Sequence, residues 1–297
     1  MLGRIVEVSS DMRHLSIYRG FLIVRSKGEE SEEIGRVPLD DISALIANAY
    51  GLSYSNNLLV ALGERGIPMA VCASNHNVVS MLWPIDGHHQ QAHRIDAQIA
   101  CSLPTKKRLW ADLIKAKLSQ QAATLKVIGV ADEPLLALIR KVKSGDSQNI
   151  EAQAARRYWS LLFGSLFRRD KEAEGLNALL NYGYTVLRAA TARAVVAAGL
   201  HPSIGLHHSH DNNAMRLVDD LMEPFRPFVD LTVWKLQNSD PCFVNTETKR
   251  LLVQCLYQDI PTTSGNTPVL VATQKLATSL AQVLLGEKKL LDLPLTT

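Results

Sequence analysis

The sequence predicts an α+β protein of two domains, a small N-terminal β-rich domain followed by a larger all-α domain. Three observations predict it. The first eighty or so residues alternate apolar and polar side chains in short runs, a polar glycine-containing stretch breaks the pattern near residue 85, and apolar residues then recur with a helical period. These place a β-rich domain at residues 1–84, a linker at 85–92 and a helical domain at 93–297.

Each element has its own signal. Residues 4–8 alternate as a strand, and residues 15–24 form two β-rich runs broken at Arg19-Gly20, a hairpin signature. A polar loop with Glu29, Glu30, Glu32 and Glu33 follows, then an apolar run over 42–49. Residues 53–57 read as a cap for a helix over 58–65 that Gly66 closes. Residues 68–73 return to strand, 74–77 turn, and 78–83 make a last strand ending at Pro84. Beyond the linker, Pro104-Thr105 opens a helix to about Val127, and Asp132 with Pro134 opens another ending near Gly145. Further helical stretches cover 149–167, 176–198 with Gly199 just past the end, 215–223, 226–237, 246–258 and 269–285.

Composition narrows the class. With 46% hydrophobic and 21% charged residues in 297, the chain is ordinary globular protein, which excludes wholesale disorder. No apolar run approaches the ~18 residues a membrane span needs, and the N-terminus enters strand-like alternation without a basic, apolar leader. A soluble, cytoplasmic protein is expected. Cys72, Cys101, Cys242 and Cys255 stand singly, which favours buried free thiols over a disulfide framework or zinc knuckle. The net charge of +3 hides a partition of −3 over residues 1–92, +8 over 93–171 and −2 over 172–297. Positive charge confined to one stretch is the footprint expected for a polyanion partner, although solvated helix faces would also produce it.

Three places carry groups suited to chemistry. Glu151 lies in the first turn of a helix, where a carboxylate also complements the helix dipole. Residues 199–210, bent by two glycines and a proline, concentrate His201, His207, His208 and His210, four of the nine histidines. Imidazole is a common transition-metal ligand and general base. Asp219, Asp220 and Glu223 can share a helical face, and Pro224 sets Glu223 at a helix junction. One imidazole with two or three carboxylates suits Mg²⁺ or Mn²⁺, and beside a basic stretch the chemistry indicated is phosphoryl transfer on nucleic acid.

These stretches together resemble the CRISPR-associated integrase and nuclease of spacer acquisition. The matching residues are Asn149-Ile150-Glu151-Ala152 with Ala155-Arg156 and Tyr158-Trp159, then Leu180-Asn181-Tyr182-Gly183-Tyr184, the stretch from Gly199 to His208, and the run from Asp220 to Pro227. The wording of the last two is most like the branch that accompanies type II systems. The resemblance implies a catalytic metal held by Glu151, His208 and Glu223, with Asp220 supporting them. It implies attack by the 3′-hydroxyl of a short captured duplex on a phosphodiester at a repeat end, and metal-dependent DNA cleavage at the same site. It also implies a homodimer formed through the β-domain, and two such dimers bridged by a small dimeric partner protein. Lys106, Lys107, Arg108, Arg156 and Arg157 are candidates to contact phosphates of double-stranded DNA.

Three other readings compete. One is a stand-alone, structure-specific DNA endonuclease with the same metal site. Another is a DNA-binding scaffold whose acids are helix caps. The third, a zinc hydrolase built on His207, His208, His210 and Asp211, is disfavoured because consecutive imidazoles seldom face one ion and no His-Glu-x-x-His helix occurs.

Overall fold

A computed structural model describes residues 3–28, 31–73, 78–237 and 243–296. The chain divides into two compact units, Met1–Gln91 and Ala92–Thr297. The first contains β1 (Arg4–Val8), β2 (Arg13–Tyr18), β3 (Phe21–Ser26), β4 (Glu33–Pro38), β5 (Ile42–Ala47), β6 (Ser53–Tyr54), α1 (Asn56–Glu64), β7 (Met69–Cys72) and β8 (Val78–Leu82). They make two four-stranded sheets, ordered β4-β3-β2-β6 and β1-β5-β7-β8. The β2–β3 hairpin turns on Arg19-Gly20, both at positive φ (47° and 80°), the geometry whose twist matches the flanking strands. Every residue of β5 is buried between parallel neighbours β1 and β7, which is why its sequence is a continuous apolar run. Leu15, Leu22, Leu45, Leu58 and Leu62 close one core shared by both sheets and α1.

The second unit is built from α2 (Gln91–Ala100), α3 (Leu103–Val127), α4 (Glu133–Ile139), α5 (Ile150–Phe163), α6 (Leu176–Ala197), α7 (Arg216–Met222), α8 (Arg226–Leu236), α9 (Thr246–Gln254), β9 (Asp259–Thr262), β10 (Gly265–Pro268) and α10 (Val269–Leu284). The Ser102 hydroxyl caps α3 by accepting from the Thr105 N–H, with Pro104 in the first turn where its missing donor costs nothing. Helix α6 is the axis of the unit, with 16 of 22 residues buried against α7, α8, α9 and α10. Gly183 makes this possible, since a Cβ there would stand 2.4 Å from Val229 Cγ1 of α8.

The structure revises several expectations. Glu33 heads β4 rather than ending a loop, because residues 33–38 pair with the exposed side of β3. The cap region before α1 includes the short strand β6, paired parallel to β2. Helix α2 starts at Gln91, inside the expected linker. The helical domain is not all-α, since β9 and β10 form an antiparallel hairpin that the helical period concealed. Helix α5 stops at Phe163 instead of 167, where Gly164 takes φ 93°. Of the cysteines, Cys255 is buried but Cys72 and Cys101 are half-buried, and no disulfide joins the described residues. Cys242 and the expected turn at 74–77 lie outside the described residues. Among the described residues no helix is long and apolar enough to cross a membrane.

The α6–α8 contact yields a direct test. Gly183→Val overpacks a rigid β-branched neighbour and should cost about 1–3 kcal/mol, measured as a lower urea midpoint with an unchanged slope.

Candidate metal centre

The acids and the imidazole singled out by the sequence lie on three elements arranged around one face of α3. Glu151 is set by the chain just before α5. Gly145, Asp146 and Asn149 all have positive φ (72°, 47° and 51°), a costly run for two non-glycine residues. The turn they form aims Asp146 at the helix start, where its carboxylate accepts from the N–H groups of Ile150 (2.8 Å) and Glu151 (2.9 Å). This satisfies two orphan donors and positions the Glu151 backbone.

Asp220 shapes the histidine loop. It is fully buried in α7, and its Oδ2 accepts from the N–H groups of Leu206 (2.6 Å) and His207 (3.2 Å). Its Oδ1 accepts from the His208 N–H (3.2 Å) and lies 2.6 Å from His208 Nδ1. A carboxylate only accepts, so Nδ1 carries the hydrogen and Nε2 is the nitrogen left for a ligand. Gly205 is required in this turn because a Cβ would meet the His208 carbonyl at 2.8 Å. Gln98 of α2 braces the same loop, donating to the carbonyls of His201 (3.0 Å) and Ile204 (2.7 Å) and accepting from the His201 N–H (2.9 Å).

Glu223 opens the 3-10 turn after α7 and is 4% exposed. Its Oε1 accepts from Arg226 Nε at 2.8 Å. Lys117, on the buried face of α3, places Nζ 2.6 Å from Glu151 Oε1 and 2.6 Å from Glu223 Oε2. The second contact is an ion pair without hydrogen-bond geometry, so Glu223 Oε2 is a buried oxygen with no hydrogen-bond partner. Seven residues earlier on α3, Trp110 stacks on His207 at 4.3 Å and meets His208 edge-on at 5.6 Å. The two glutamates thus meet around one ammonium, and the same helix supports the imidazole loop. Among the described residues, no three His, Cys, Asp or Glu side chains stand at spacing that would hold a metal.

Protonation follows this arrangement. Burial opposes the Glu223 charge, but the Arg226 guanidinium and Lys117 ammonium outweigh it and lower the carboxyl to about 2. Burial likewise opposes the Lys117 charge, and Glu223 and Glu151 outweigh it, raising its pKa. The hydrogen bond to Asp220 raises His208 despite partial burial. Beneath Glu223, Asp230 is buried and raised to about 7, although Tyr184 and Tyr158 both donate to its oxygens.

The three acids left open by the sequence have separate partners. Asp219 takes a two-point contact from Arg188 (2.7 and 2.8 Å), Asp220 holds the loop, and Glu223 faces Lys117. His207 lies flat against Trp110 and Asp211 is exposed and paired with Arg216, so the residues of the zinc reading do not gather. Lys107 and Arg108 are exposed near the start of α3 and Lys106 half-buried, while Arg156 and Arg157 are exposed on α5. Sequence reasoning missed Lys117, Asp146, Gln98 and Arg226. For Lys117 the signal was present, because it falls among buried Leu113, Ile114 and Leu118 on the apolar stripe of α3.

A model of the family described as CRISPR associated protein Cas1 matches residues 6–249. This chain belongs to the Cas1 family. It is 34% identical over 269 residues to the CRISPR-associated endonuclease Cas1 of Neisseria meningitidis serogroup C (strain 8013), covering 89% of this chain and 87% of that one. Among solved structures it is similar to a casposase bound to integration product, with TM-score 0.82 and 18% identity over 97% of this chain and 92% of that one. It is also similar to a chain of a Cas6-RT-Cas1–Cas2 complex, with TM-score 0.78 and 16% identity over 99% of this chain and 36% of that one. At these identities the structural likeness concerns the fold. The family resemblance read from the motifs is borne out, as is a β-rich part followed by a helical part.

The Lys117 cluster makes two predictions. Lys117→Met leaves buried Glu223 and half-buried Glu151 without their shared cation and should cost about 3 kcal/mol in unfolding free energy. Glu223 has a depressed folded pKa, so its contribution is complete above its ordinary 4.5 and is lost as pH falls toward about 2. Urea unfolding at stepped pH should show stability falling across that window, and Glu223→Gln should flatten the slope there.

Proposed function

We propose that this Cas1-family chain is a divalent-metal-dependent DNA endonuclease and integrase of CRISPR adaptation. The observation that carries this reading is the convergence of Glu151 and Glu223 on one cationic position, beside an imidazole whose ring is oriented by a buried carboxylate. The donor set fits a hard divalent ion: two carboxylates already drawn to one positive charge, a buried Glu223 oxygen held only by the Lys117 ion pair, and a histidine with one nitrogen left for a ligand. Glu151, His208 and Glu223 would hold Mg²⁺ or Mn²⁺. When bound, such an ion eases attack on a phosphodiester by neutralising charge that develops on its oxygens.

The rest belongs to the chain. Asp220 holds the His208 ring in one orientation through Nδ1 and holds the loop through three backbone donors. Lys117 and Arg226 keep Glu223 ionised and add fixed positive charge where a phosphodiester would react. Lys106, Lys107, Arg108, Arg156 and Arg157 would bind backbone phosphates without reading sequence, so affinity should fall steeply with salt. The reaction we infer is transfer to the 3′-hydroxyl of a captured duplex at a repeat end, with hydrolysis as the competing outcome. The endonuclease name of the Neisseria relative and the integration product held by the casposase support these two outcomes respectively. The neighbour containing Cas2 supports a small partner protein, and we propose homodimers joined through the β-rich unit and bridged by that partner in a four-plus-two assembly.

The test is to incubate the protein and its partner with a short duplex, a supercoiled repeat-bearing plasmid and Mn²⁺. Joined, branched products are expected; cleavage fragments alone, without need of the partner, would identify a stand-alone nuclease. Glu151→Ala, His208→Ala and Glu223→Ala should each lower joining by more than about 100-fold, and Asp220→Asn by about 10–100-fold, as for a group that orients a ligand. Variants that join DNA at the wild-type rate would return the acids to a capping role.

A further inference from the structure

We propose that His207 is a substrate contact, a fixed imidazole whose free N–H donates to a phosphate oxygen next to the phosphodiester that reacts. The inference rests on the DNA-joining reading above and adds to it a contact on the histidine loop.

An exposed side chain on an irregular loop ordinarily samples several rotamers. His207 is exposed, yet it is held at two points. Its backbone N–H donates to Asp220 Oδ2 (3.2 Å), and its ring lies flat on the indole of Trp110, with centroids 4.3 Å apart and planes within 4°. Trp110 is 1% exposed, on the same buried stripe of α3 as Leu113 and Ile114, so the platform itself is locked by packing. Stacking uses the faces of a ring and leaves its edges, where both nitrogens lie, untouched. Among the described residues neither ring nitrogen of His207 has a hydrogen-bond partner. The neutral ring and the cation both carry an N–H, so a donor is present in either state.

His208 serves a different group. Asp220 orients it through Nδ1, and the two imidazoles stand at 78° with centroids 6.1 Å apart. Held by different partners in different planes, they do not converge on one ion. Their spacing suits neighbouring phosphates instead. A DNA strand rises roughly 3.4 Å per nucleotide, so a strand that reacts beside His208 passes an adjacent phosphate within reach of His207. A phosphate oxygen is an anionic acceptor, which strengthens the hydrogen bond it receives. A covering role alone would need no nitrogen, since an apolar ring of similar shape would shield Trp110 from water equally well. A donor fixed before binding gives up little freedom when it engages, which is what locking an exposed ring achieves.

The test separates the nitrogens from the stack. The probe is a synthetic branched DNA with the strand connectivity of a joined end, bound in EDTA, with a blunt duplex as control. His207→Phe keeps the stack and removes the donor. It should weaken branched-DNA binding about ten-fold, the scale of one hydrogen bond to a charged group, and leave blunt-duplex binding unchanged. His207→Gln returns an N–H on a planar group and should recover most of the loss. In the unsubstituted protein, a methylphosphonate at one position within about two nucleotides of the branch should bring the same loss of about ten-fold. In His207→Phe that replacement should have no further effect, as for two changes that delete one contact. Undiminished binding by His207→Phe would mean that the ring only covers Trp110, and would overturn the proposal. Equal losses on branched and blunt DNA would overturn it too, as would methylphosphonate effects of the same size in both proteins at every position. Because binding is read without metal, the expected pattern in a protein that makes no joined products would count against the joining reading alone.

Discussion

Two carboxylates brought together repel unless a cation stands between them, and the candidate site of the helical unit is arranged around that requirement. Lys117 supplies the cation from the buried stripe of α3, touching Glu151 at the start of α5 and Glu223 at the turn between α7 and α8. Arg226 closes the cluster from the other side of Glu223. Breaking the ammonium contact would remove a polar link that ties both α5 and the α7–α8 turn to α3.

The supporting groups are arranged by the same logic of satisfied burial. Asp220 accepts from three backbone N–H groups and the His208 ring, so a loop with little regular structure has one geometry. Asp230 is surrounded by two tyrosine hydroxyls beneath Glu223, forming a second buried network that packs α5, α6 and α8 together. Backbone strain is concentrated at Asp146 and Asn149, where it turns a carboxylate onto the first N–H groups of α5. Each device spends a polar group on placing Glu151, His208 or Glu223.

Charge is also divided more finely than a residue count suggests. The excess over residues 93–171 includes Lys117, buried with two acids, and Arg169, bonded to Asn177 and Asn181. Arg94 donates to the Ala198 carbonyl. The exposed positive charge of that stretch is spread over the start of α3 (Lys107, Arg108), the segment just past α4 (Arg140, Lys141, Lys143), α5 (Arg156, Arg157) and the loop after it (Arg168, Lys171).

What the sequence determined by itself was whatever depends on neighbours a few residues apart. The 2-residue and 3.6-residue periods, the Arg19-Gly20 turn, the Pro104 start of α3 and the glycine past α6 are local, and they placed most elements to within a few residues. The short strands β4 and β6 and the β9–β10 hairpin escaped because pairing with a distant or weakly patterned partner defines them. At the site, Glu151, His208 and Glu223 were named from motif and residue type, and the structure brings Glu151 and Glu223 to one ammonium. Asp219, Asp220 and Glu223 received their different partners only when α6, the histidine loop and α3 packed on different sides of one short helix. Lys117 shows the limit most plainly: a lysine on an apolar stripe is visible in the sequence, but only tertiary packing supplies the two carboxylates that make burying it favourable.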